Sequence, residues 1–241
     1  MQDLAGQVAV VVGASSGMGR ATAAALAREG VRVVAAARRE AELASLREAV
    51  TSAGGVIEVC RVDVSQRADV EQLVAATNAK FGRIDMLIYA SGTNLPDRSL
   101  ERLAPENWDR LLAVNLSGAF HCTQAVLSTM RKAGGGLIVY LSSAAVQLPD
   151  VSGVAYQASK HGLVGLAHGT RIEEQKHGVR VTVIFPGLCD TEILNQRPVP
   201  TPREVLDRAM RPEDVAEAVL FVAKLPPRAC VPEMQIRPSR L

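Results

Sequence analysis

The sequence has few aromatic residues, and it lacks the patterns that indicate disulfides, bound metals or membrane segments. Phe, Trp and Tyr together make up 3% of its 241 residues, so it shows no aromatic box for stacking a steroid-like ligand. The cysteines lie far apart and form no Cys-x-x-Cys pair, at Cys60, Cys122, Cys189 and Cys230. Buried free thiols are therefore expected. Each apolar run is interrupted by Gly, Arg, Asn or Ser before it reaches the length that spans a membrane.

The sequence also lacks an excess of charge of either sign. Its formal net charge is +2 with 22% charged residues, which is too balanced to draw it to nucleic acid or to an anionic membrane. The first residues, MQDLAGQVAVVVGASSG, lack the basic region, long apolar stretch and cleavage site of a secretory signal. We therefore expect a cytoplasmic protein with no nucleic-acid or membrane partner.

Short runs rich in Val and Ile alternate along the chain with longer Ala- and Leu-rich segments of helical period. The predicted strands are Val8–Val12, Val31–Ala36, Val56–Val62, Ile84–Tyr89, Leu137–Leu141 and Val179–Phe185, and the predicted helices are Met18–Arg28, Ala41–Ser52, Ala68–Phe81, Pro105–Lys132 and Val154–Lys176. Strands with few polar residues on either face suit a parallel sheet that helices cover on both sides. The pattern predicts one Rossmann-like, doubly wound α/β domain over residues 1–241.

One irregular stretch follows the sixth predicted strand. This proline segment, residues 188–211, contains Pro198, Pro200 and Pro202 and ends just before Pro212, near a further helix start. In a one-domain α/β enzyme, such a segment after a strand is a candidate lid. We therefore expect it to contact the substrate.

The stretch VVVGASSGMGRA places three glycines between the first predicted strand and the first predicted helix. Gly13, Gly17 and Gly19 allow a sharp turn that brings the backbone and the positive helix N-terminus close to a phosphate. Three further residues of this turn are predicted to line the same site: Ser15, Ser16 and Met18. An ordinary strand-to-helix turn is the alternative, because a glycine triplet alone is weak evidence.

The stretch AYQASKHG places a tyrosine and a lysine one helical turn apart, on the same face of the predicted helix. A phenol has an ordinary pKa of about 10, so it is a poor base near neutral pH unless a nearby positive charge stabilises its anion. The Lys160 ammonium could do this for Tyr156. The alternative is structural, with a partly buried Tyr and a Lys whose charged end reaches solvent.

The glycine spacing resembles the nucleotide turn of the short-chain dehydrogenase/reductase family, T-G-x-x-x-G-x-G, with Val12 in place of the threonine. Other motifs of that family follow in the right order. VYLSSAAV supplies Ser143 thirteen positions before Tyr156, and AVNLSGAF supplies Asn115 inside the long predicted helix. The last four residues of LIYASG, which are Tyr89 to Gly92, stand where the family usually has N-N-A-G. Of that motif only the glycine, Gly92, is kept.

The resemblance implies an oxidoreductase that moves a hydride between a nicotinamide cofactor and a carbonyl or secondary alcohol. It implies that Ser143 hydrogen-bonds the substrate oxygen and that Tyr156 is the general acid and base. Lys160 would lower the pKa of that tyrosine and hold the nicotinamide ribose, and Asn115 would position a water in a proton relay. A cofactor-binding regulatory protein of the same fold without turnover is the alternative, although such relatives usually lose the tyrosine or the lysine.

The end of the second strand indicates which cofactor would bind. Ala37 stands where NAD-specific relatives carry an aspartate, and Arg38 and Arg39 follow it. An arginine favours the 2′-phosphate of NADP through charge-assisted hydrogen bonds. We therefore predict NADP(H) with Arg38 as the contact, and we expect Arg39 to be a solvated residue before the next helix. The same chemistry with NAD is the weaker alternative.

The resemblance also implies further cofactor contacts. Asp63, followed by Val64, would lie against the adenine, although an aspartate at the end of a strand can equally serve only a turn or a helix cap. The remaining contacts implied near the nicotinamide and its ribose are Gly92, Pro186, Gly187 and Thr191.

The substrate and the assembly are less specified. Arg197 or Arg203 in the proline segment could hold a carboxylate, and the tail LPPRACVPEMQIRP resembles that of NADP-dependent relatives acting on small 3-hydroxy acids or on a broad range of carbonyl compounds.

Two stretches bear on the assembly of the protein. NLSGAF and HGLVGLAHG are rich in small residues that allow close helix packing. Because relatives pair these helices between subunits, we expect a homodimer or homotetramer.

Overall fold

A computed structural model of the protein describes residues 1–240. Its seven strands are β1 Val8–Val12, β2 Arg32–Ala37, β3 Ile57–Arg61, β4 Met86–Tyr89, β5 Gly136–Leu141, β6 Val179–Pro186 and β7 Glu233–Ile236. Its α-helices are α1 Gly17–Arg28, α2 Glu40–Ser52, α3 Arg67–Phe81, α4 Pro105–Leu112, α5 Gly118–Lys132, α6 Val154–Glu174, α7 Arg203–Leu206 and α8 Pro212–Ala223.

The strands form one parallel sheet in the order β3-β2-β1-β4-β5-β6-β7. The chain winds outward from β1 in one direction and then from β4 in the other, which confirms the predicted doubly wound, Rossmann-like fold. In such sheets a crevice opens outside the carboxyl ends of the strands where the winding direction reverses. The ends of β1 and β4 are therefore where a ligand site is expected.

Strand β1 shows why these residues form the centre of the sheet. All five of its residues are apolar and at most 1% exposed. Successive side chains of a strand point to opposite faces, and Ala9 and Val11 pack in one apolar cluster while Val10 and Val12 pack in the other. The first cluster includes residues of α1, α2 and α8, and the second includes residues of α3, α5 and α6. The sheet is thus buried on both faces.

Several boundaries differ from the sequence-based prediction. The predicted helix Pro105–Lys132 contains a π-helical segment at Ala113–Ser117 between α4 and α5. The predicted helix Val154–Lys176 ends at Glu174, and a 3₁₀ turn follows at Gln175–His177. The proline segment contains a 3₁₀ turn at Glu192–Gln196 as well as α7. These are local changes within predicted elements.

Strand β7 was not predicted. It is a four-residue strand at the edge of the sheet, and it alternates exposed Glu233 and Gln235 with half-buried Met234 and Ile236. In the sequence, four residues that alternate polar and apolar side chains cannot be told from a loop. The segment is a strand because it pairs with β6.

Among residues 1–240, no helix combines the length and the apolarity that crossing a bilayer requires.

Candidate active site

The glycine turn packs so tightly that two of its glycines leave no room for a side chain. Gly13 has a φ of +87°, and a Cβ there would lie 2.6 Å from the backbone nitrogen of Ser91. A Cβ on Gly19 would lie 2.2 Å from the carbonyl oxygen of Gly13. The start of α1 is thereby drawn against the end of β4. The ordinary-turn interpretation does not explain this close packing at the reversal of the sheet.

This turn borders a cavity of about 300 Å³, here called the glycine-turn cavity. Its lining includes these residues predicted from the sequence: Gly13, Ser15, Ser16, Gly17, Met18, Gly19, Arg38, Asp63, Val64, Gly92, Tyr156, Lys160 and Thr191. The N-cap residue Ser16 makes no side-chain hydrogen bond to the helix, and the first turn of α1 has no acidic residue. Helix N–H groups, glycines and arginines beside one cavity fit the phosphates of a nucleotide.

Arg39 also lines this cavity, with its side chain 46% exposed to solvent. Its guanidinium donates hydrogen bonds to the hydroxyls of Ser15 and Ser16, and Nη1 lies 2.8 Å from Oε2 of Glu192 in the proline segment. Arg38 is exposed on the rim of the same cavity. Both arginines therefore border the glycine-turn cavity.

Asp63 shapes a turn and also borders the glycine-turn cavity, while its contact with the adenine stays a prediction. Its Oδ1 accepts hydrogen bonds from the backbone nitrogen of Ser65 at 3.0 Å and from its hydroxyl at 2.7 Å, so it shapes the turn after β3. It also lines the glycine-turn cavity. Burial alone would raise the pKa of this carboxyl, but the Ser65 hydrogen bonds and the charges of Arg38 and Arg61 lower it overall.

Tyr156 and Lys160 lie one turn apart on α6, as predicted. Lys160 is 4% exposed, and its Nζ donates a 2.8 Å hydrogen bond to the carbonyl oxygen of Leu141 at the end of β5. The same Nζ lies 5.7 Å from the centre of the Tyr156 ring. Burial lowers the pKa of Lys160 to about 8. The ammonium is therefore held in the site rather than extended into solvent, contrary to the structural alternative.

The pKa of Tyr156 differs from the expectation. Burial raises it above the ordinary value, although a hydrogen bond with Ser143 and the charge of Arg98 act in the opposite direction. In this structure the desolvation of the phenol outweighs the stabilisation of its anion. The tyrosine is thus poised here as a proton donor.

Ser143 begins the turn that follows β5. Its Oγ accepts a 3.1 Å hydrogen bond from the backbone nitrogen of Ala145, and Ser143 also lowers the pKa of Tyr156. The neighbouring Ser142 instead donates to the carbonyl oxygen of Lys160 at 3.1 Å. Successive strand residues point to opposite sides, and this places Ser143 beside the tyrosine.

Asn115 is fully buried in the π-helical segment and lines neither cavity of the site. Its Oδ1 accepts from the backbone nitrogen of Thr93 at 2.8 Å, and its Nδ2 donates to the Thr93 carbonyl and to Ser159 Oγ, both at 3.0 Å. These bonds tie the chain after β4 to α6. The water-positioning role of Asn115 stays a prediction.

Tyr89 was not identified from the sequence as a site residue. It is the third residue of LIYASG and stands at the first of the four N-N-A-G positions, where the family usually has asparagine, and its side chain is fully buried. Its hydroxyl donates a hydrogen bond to the carbonyl oxygen of Val114, next to Asn115 in the π-helical segment. A tyrosine at this strand end was the available signal, but its partner is visible only in the fold.

A second cavity, of about 450 Å³, adjoins the first at Met18, Tyr156 and Thr191. This proline-segment cavity is lined by residues that include Arg98, Ser142, Ser143, Leu148, Asp150, Tyr156, Pro186, Gly187, Leu188, Thr191, Leu194, Arg197 and Arg237. Pro186 and Gly187, predicted as cofactor contacts, line this cavity and not the glycine-turn cavity, and Arg197 lines it as well. Arg203 does not, since its side chain is 86% exposed and paired with Asp207.

The histidines and cysteines add no metal centre. Among residues 1–240, no group of three or more His, Cys, Asp or Glu side chains is arranged to hold a metal ion. The four cysteines are free thiols, but only Cys122 and Cys189 are buried as expected, whereas Cys60 is half-buried and Cys230 is exposed.

Comparison with known proteins agrees with the fold and the motifs. The family model described as short chain dehydrogenase matches residues 7–199. An uncharacterised oxidoreductase of Staphylococcus saprophyticus subsp. saprophyticus is 35% identical over 239 residues, which cover 99% of this chain and 100% of the relative. The crystal structure of a metagenomic short-chain oxidoreductase in complex with NADP has a TM-score of 0.86 at 33% identity, over 99% of this chain and 100% of the other. An alcohol dehydrogenase from the archaeon Thermococcus sibiricus, complexed with 5-hydroxy-NADP, has a TM-score of 0.87 at 29% identity, over 98% and 97%.

Proposed function

Because this chain belongs to the short-chain dehydrogenase/reductase family, we propose that it is an NADP(H)-dependent oxidoreductase that interconverts a carbonyl and a secondary alcohol. The observation that carries the proposal is the position of Tyr156. It lies where the two cavities meet, in the same cavity lining as Ser143 and with the Nζ of the buried Lys160 5.7 Å from the centre of its ring. A proton donor at the junction of a phosphate-binding cavity and a second cavity suits carbonyl reduction.

The glycine-turn cavity supplies the residues that would hold the cofactor. The glycine turn would take the pyrophosphate, Asp63 and Val64 the adenine, and Arg38 with Arg39 the 2′-phosphate. No carboxylate stands at Ala37 to disfavour that phosphate. The metagenomic relative was solved with NADP bound, which supports the same choice here. When bound, the nicotinamide gives a hydride to the carbonyl carbon or takes one from the alcohol.

Tyr156 and the side chains around it would then transfer the proton and stabilise the charges that develop. Ser143 orients the substrate oxygen and stabilises its developing negative charge. In reduction, Tyr156 Oη gives its proton to that oxygen, and the O–H bond of the phenol breaks as the O–H bond of the alcohol forms. With a pKa of about 8, Lys160 is mostly protonated near neutral pH, so its ammonium stabilises the tyrosinate that remains. Oxidation runs through the reverse transfer.

The test is a pair of titrations with NADPH and NADH, followed by NADPH consumption with small ketones, diketones, 3-oxo acids and quinones. We expect NADPH to bind more tightly than NADH and at least one compound to be reduced. Tyr156→Phe should lower kcat by about 10²- to 10⁴-fold, the usual contribution of a general acid. Tight NADPH binding without turnover of any compound would instead support a regulatory protein of the same fold.

We also propose a cytoplasmic homodimer or homotetramer assembled through α5 and α6. Gly165 and Gly169 are exposed on α6 with no atom within 4 Å of a Cβ placed on either, and Phe120 of α5 is 43% exposed. Glycines on a helix surface allow a second helix to approach closely. Sedimentation of a stable monomer at working concentration would contradict this assembly.

A further inference from the structure

The proline-segment cavity carries a positive charge that the proton transfer does not require. Its charged lining consists of three arginines and one aspartate: Arg98, Arg197, Arg237 and Asp150. Within residues 1–240, neither Arg98 nor Arg197 forms an ion pair with a carboxylate. Asp150 directs its Oδ1 to the backbone nitrogen of Ser152 at 2.9 Å and to the hydroxyl of the same residue. Two arginines beside the reactive tyrosine thus lack a bonded counterion.

Arg98 is held in a specific position against the start of α6. Gly153, the N-cap residue of α6, has a φ of +88°, and a Cβ on it would lie 2.8 Å from both Cβ and Cγ of Arg98. The guanidinium donates hydrogen bonds to the carbonyl oxygens of Ser152 and of Gln196 in the proline segment. The side chain therefore bridges α6 and the proline segment, and the glycine makes room for its stem.

One donor of Arg98 has no partner. Its Nε is buried and makes no hydrogen bond to any residue that the structure describes. Buried donors are almost always paired, because an unmade hydrogen bond costs free energy. Nε also belongs to one of the two edges through which a guanidinium binds a carboxylate. Nε is thus a donor for which the described residues provide no acceptor.

The charge of Arg197 acts on Arg98, and the charge of Arg98 acts on the reactive phenol. Burial and the positive charge of Arg197 lower the pKa of Arg98, and the charge of Arg98 lowers the pKa of Tyr156. An anion bound beside the two guanidinium groups would offset their repulsion. It would also lie close to the tyrosine that transfers the proton.

We propose that Arg98 and Arg197 bind a carboxylate of the substrate, which is therefore a small oxo acid or, in the reverse direction, the corresponding hydroxy acid. This rests on the proposed function, because it takes the carbonyl to be reduced as lying at Tyr156. In reduction, the carbonyl carbon gains the hydride of NADPH and the carbonyl oxygen gains the phenol proton, while the carboxylate is unchanged. Leu148, Leu188 and Leu194 line the same cavity and suit the carbon chain between the two groups.

The experiment compares acetoacetate with 2,4-pentanedione, a neutral diketone of similar size that lacks the carboxylate. The measured quantity is the ratio of kcat/KM for the acid to kcat/KM for the diketone. A ratio cancels any change in Tyr156 that affects both compounds equally. The variants are Arg98→Met and Arg197→Met, which keep an unbranched side chain, and Arg203→Met is the matched control because that arginine lies outside the cavity. Thermal melting checks that each variant is folded.

We expect the ratio to fall by about 10- to 100-fold in Arg98→Met and in Arg197→Met, as for the loss of a hydrogen bond to a charged group, and to stay within twofold in Arg203→Met. An unchanged ratio in both folded cavity variants would overturn the inference. So would an unmodified protein that reduces the diketone and not the acid, and this result would leave the proposed oxidoreductase intact.

If neither compound is reduced, calorimetric titration of acetoacetate into the unmodified protein and into the two variants tests whether the two arginines bind the carboxylate. Binding that is lost in the variants supports the carboxylate site, and absence of binding overturns it. Failure of the proposed function is seen separately, as the absence of NADPH binding or of turnover with every compound tested.

Discussion

Arg39 and Glu192 form an ion pair with Nη1 and Oε2 2.8 Å apart, although 153 positions separate them in the sequence. The pair joins the end of β2 to the proline segment beside the glycine-turn cavity. The arginine that could meet a 2′-phosphate is therefore already engaged by a carboxylate. Cofactor binding and the position of the proline segment should be coupled through this residue.

Replacing Glu192 by Gln should tighten NADPH binding by about two- to fivefold, because exposed ion pairs contribute up to about 1 kcal/mol and a negative charge beside the phosphate is removed. NADH binding should change less. The comparison is made by fluorescence titration, with Asp207→Asn as the control, since that acid is paired with Arg203 away from the cavity. The gain should shrink at high salt, which screens exposed charges. Weaker NADPH binding in Glu192→Gln would contradict this role.

Gly13→Ala should abolish cofactor binding and reduce stability. The new Cβ would lie 2.6 Å from the backbone nitrogen of Ser91, and the alanine would have to keep the φ of +87° that Gly13 adopts. Gly54→Ala is the matched control, because Gly54 has a φ of +81° with no atom within 4 Å of a Cβ. We expect the control to lose about 1 kcal/mol from backbone strain alone and to keep its affinity for NADPH. Equal losses of stability in denaturant titrations would show that the close packing of the turn is unimportant.

Tyr89→Phe should cost about 1–3 kcal/mol in the free energy of unfolding, because it leaves the buried carbonyl of Val114 without its donor. It should also lower kcat, since the π-helical segment that holds Asn115 loses a contact with β4. Tyr140→Phe is the control: Tyr140 is equally buried and bonded to Thr123 on α5. If both variants lose a similar amount of stability but only Tyr89→Phe has a lower kcat, Tyr89 is a positioning residue. A normal kcat in Tyr89→Phe would limit it to a structural role.

Lys160 makes stability depend on pH in an alkaline range. Its pKa falls from 10.5 to about 8 on folding. Between these values the unfolded chain binds more protons than the folded one, so the unfolding free energy rises with pH. Below pH 8 the protein carries the full cost of the buried ammonium.

The Lys160→Met variant lacks the titrating ammonium of residue 160, and its other ionisable groups are the same as those of the parent protein. The unfolding free energy of the parent should therefore rise by about 2 kcal/mol relative to Lys160→Met between pH 7 and pH 10. Denaturant titrations at both pH values measure the change. A constant difference would mean that the ammonium is not desolvated in the fold.

Much of the site follows from local sequence. The strand-turn-helix with its glycines, and Tyr156 and Lys160 four positions apart on one helix, depend on periodicities of a few residues, so their arrangement could be predicted. The placement of Ser143 beside the tyrosine rested on the family resemblance, and the alternation of side chains at the end of β5 agrees with it. Strand β7 could not be predicted, because a short edge strand is stabilised by its neighbour rather than by its own pattern.

The sequence by itself determined the order of the first six strands and of the helices between them, the glycine turn and the tyrosine-lysine pair, because hydrophobic period and backbone freedom act over short distances. The tertiary structure alone decided that Arg39 meets Glu192, that Tyr89 supports the segment of Asn115, and that Arg98 donates a hydrogen bond to the carbonyl oxygen of Gln196. These partners lie 25 to 153 positions apart, and sheet order, not sequence distance, brings them together. Their charges and hydrogen bonds are set by burial, which exists only once the layers have packed.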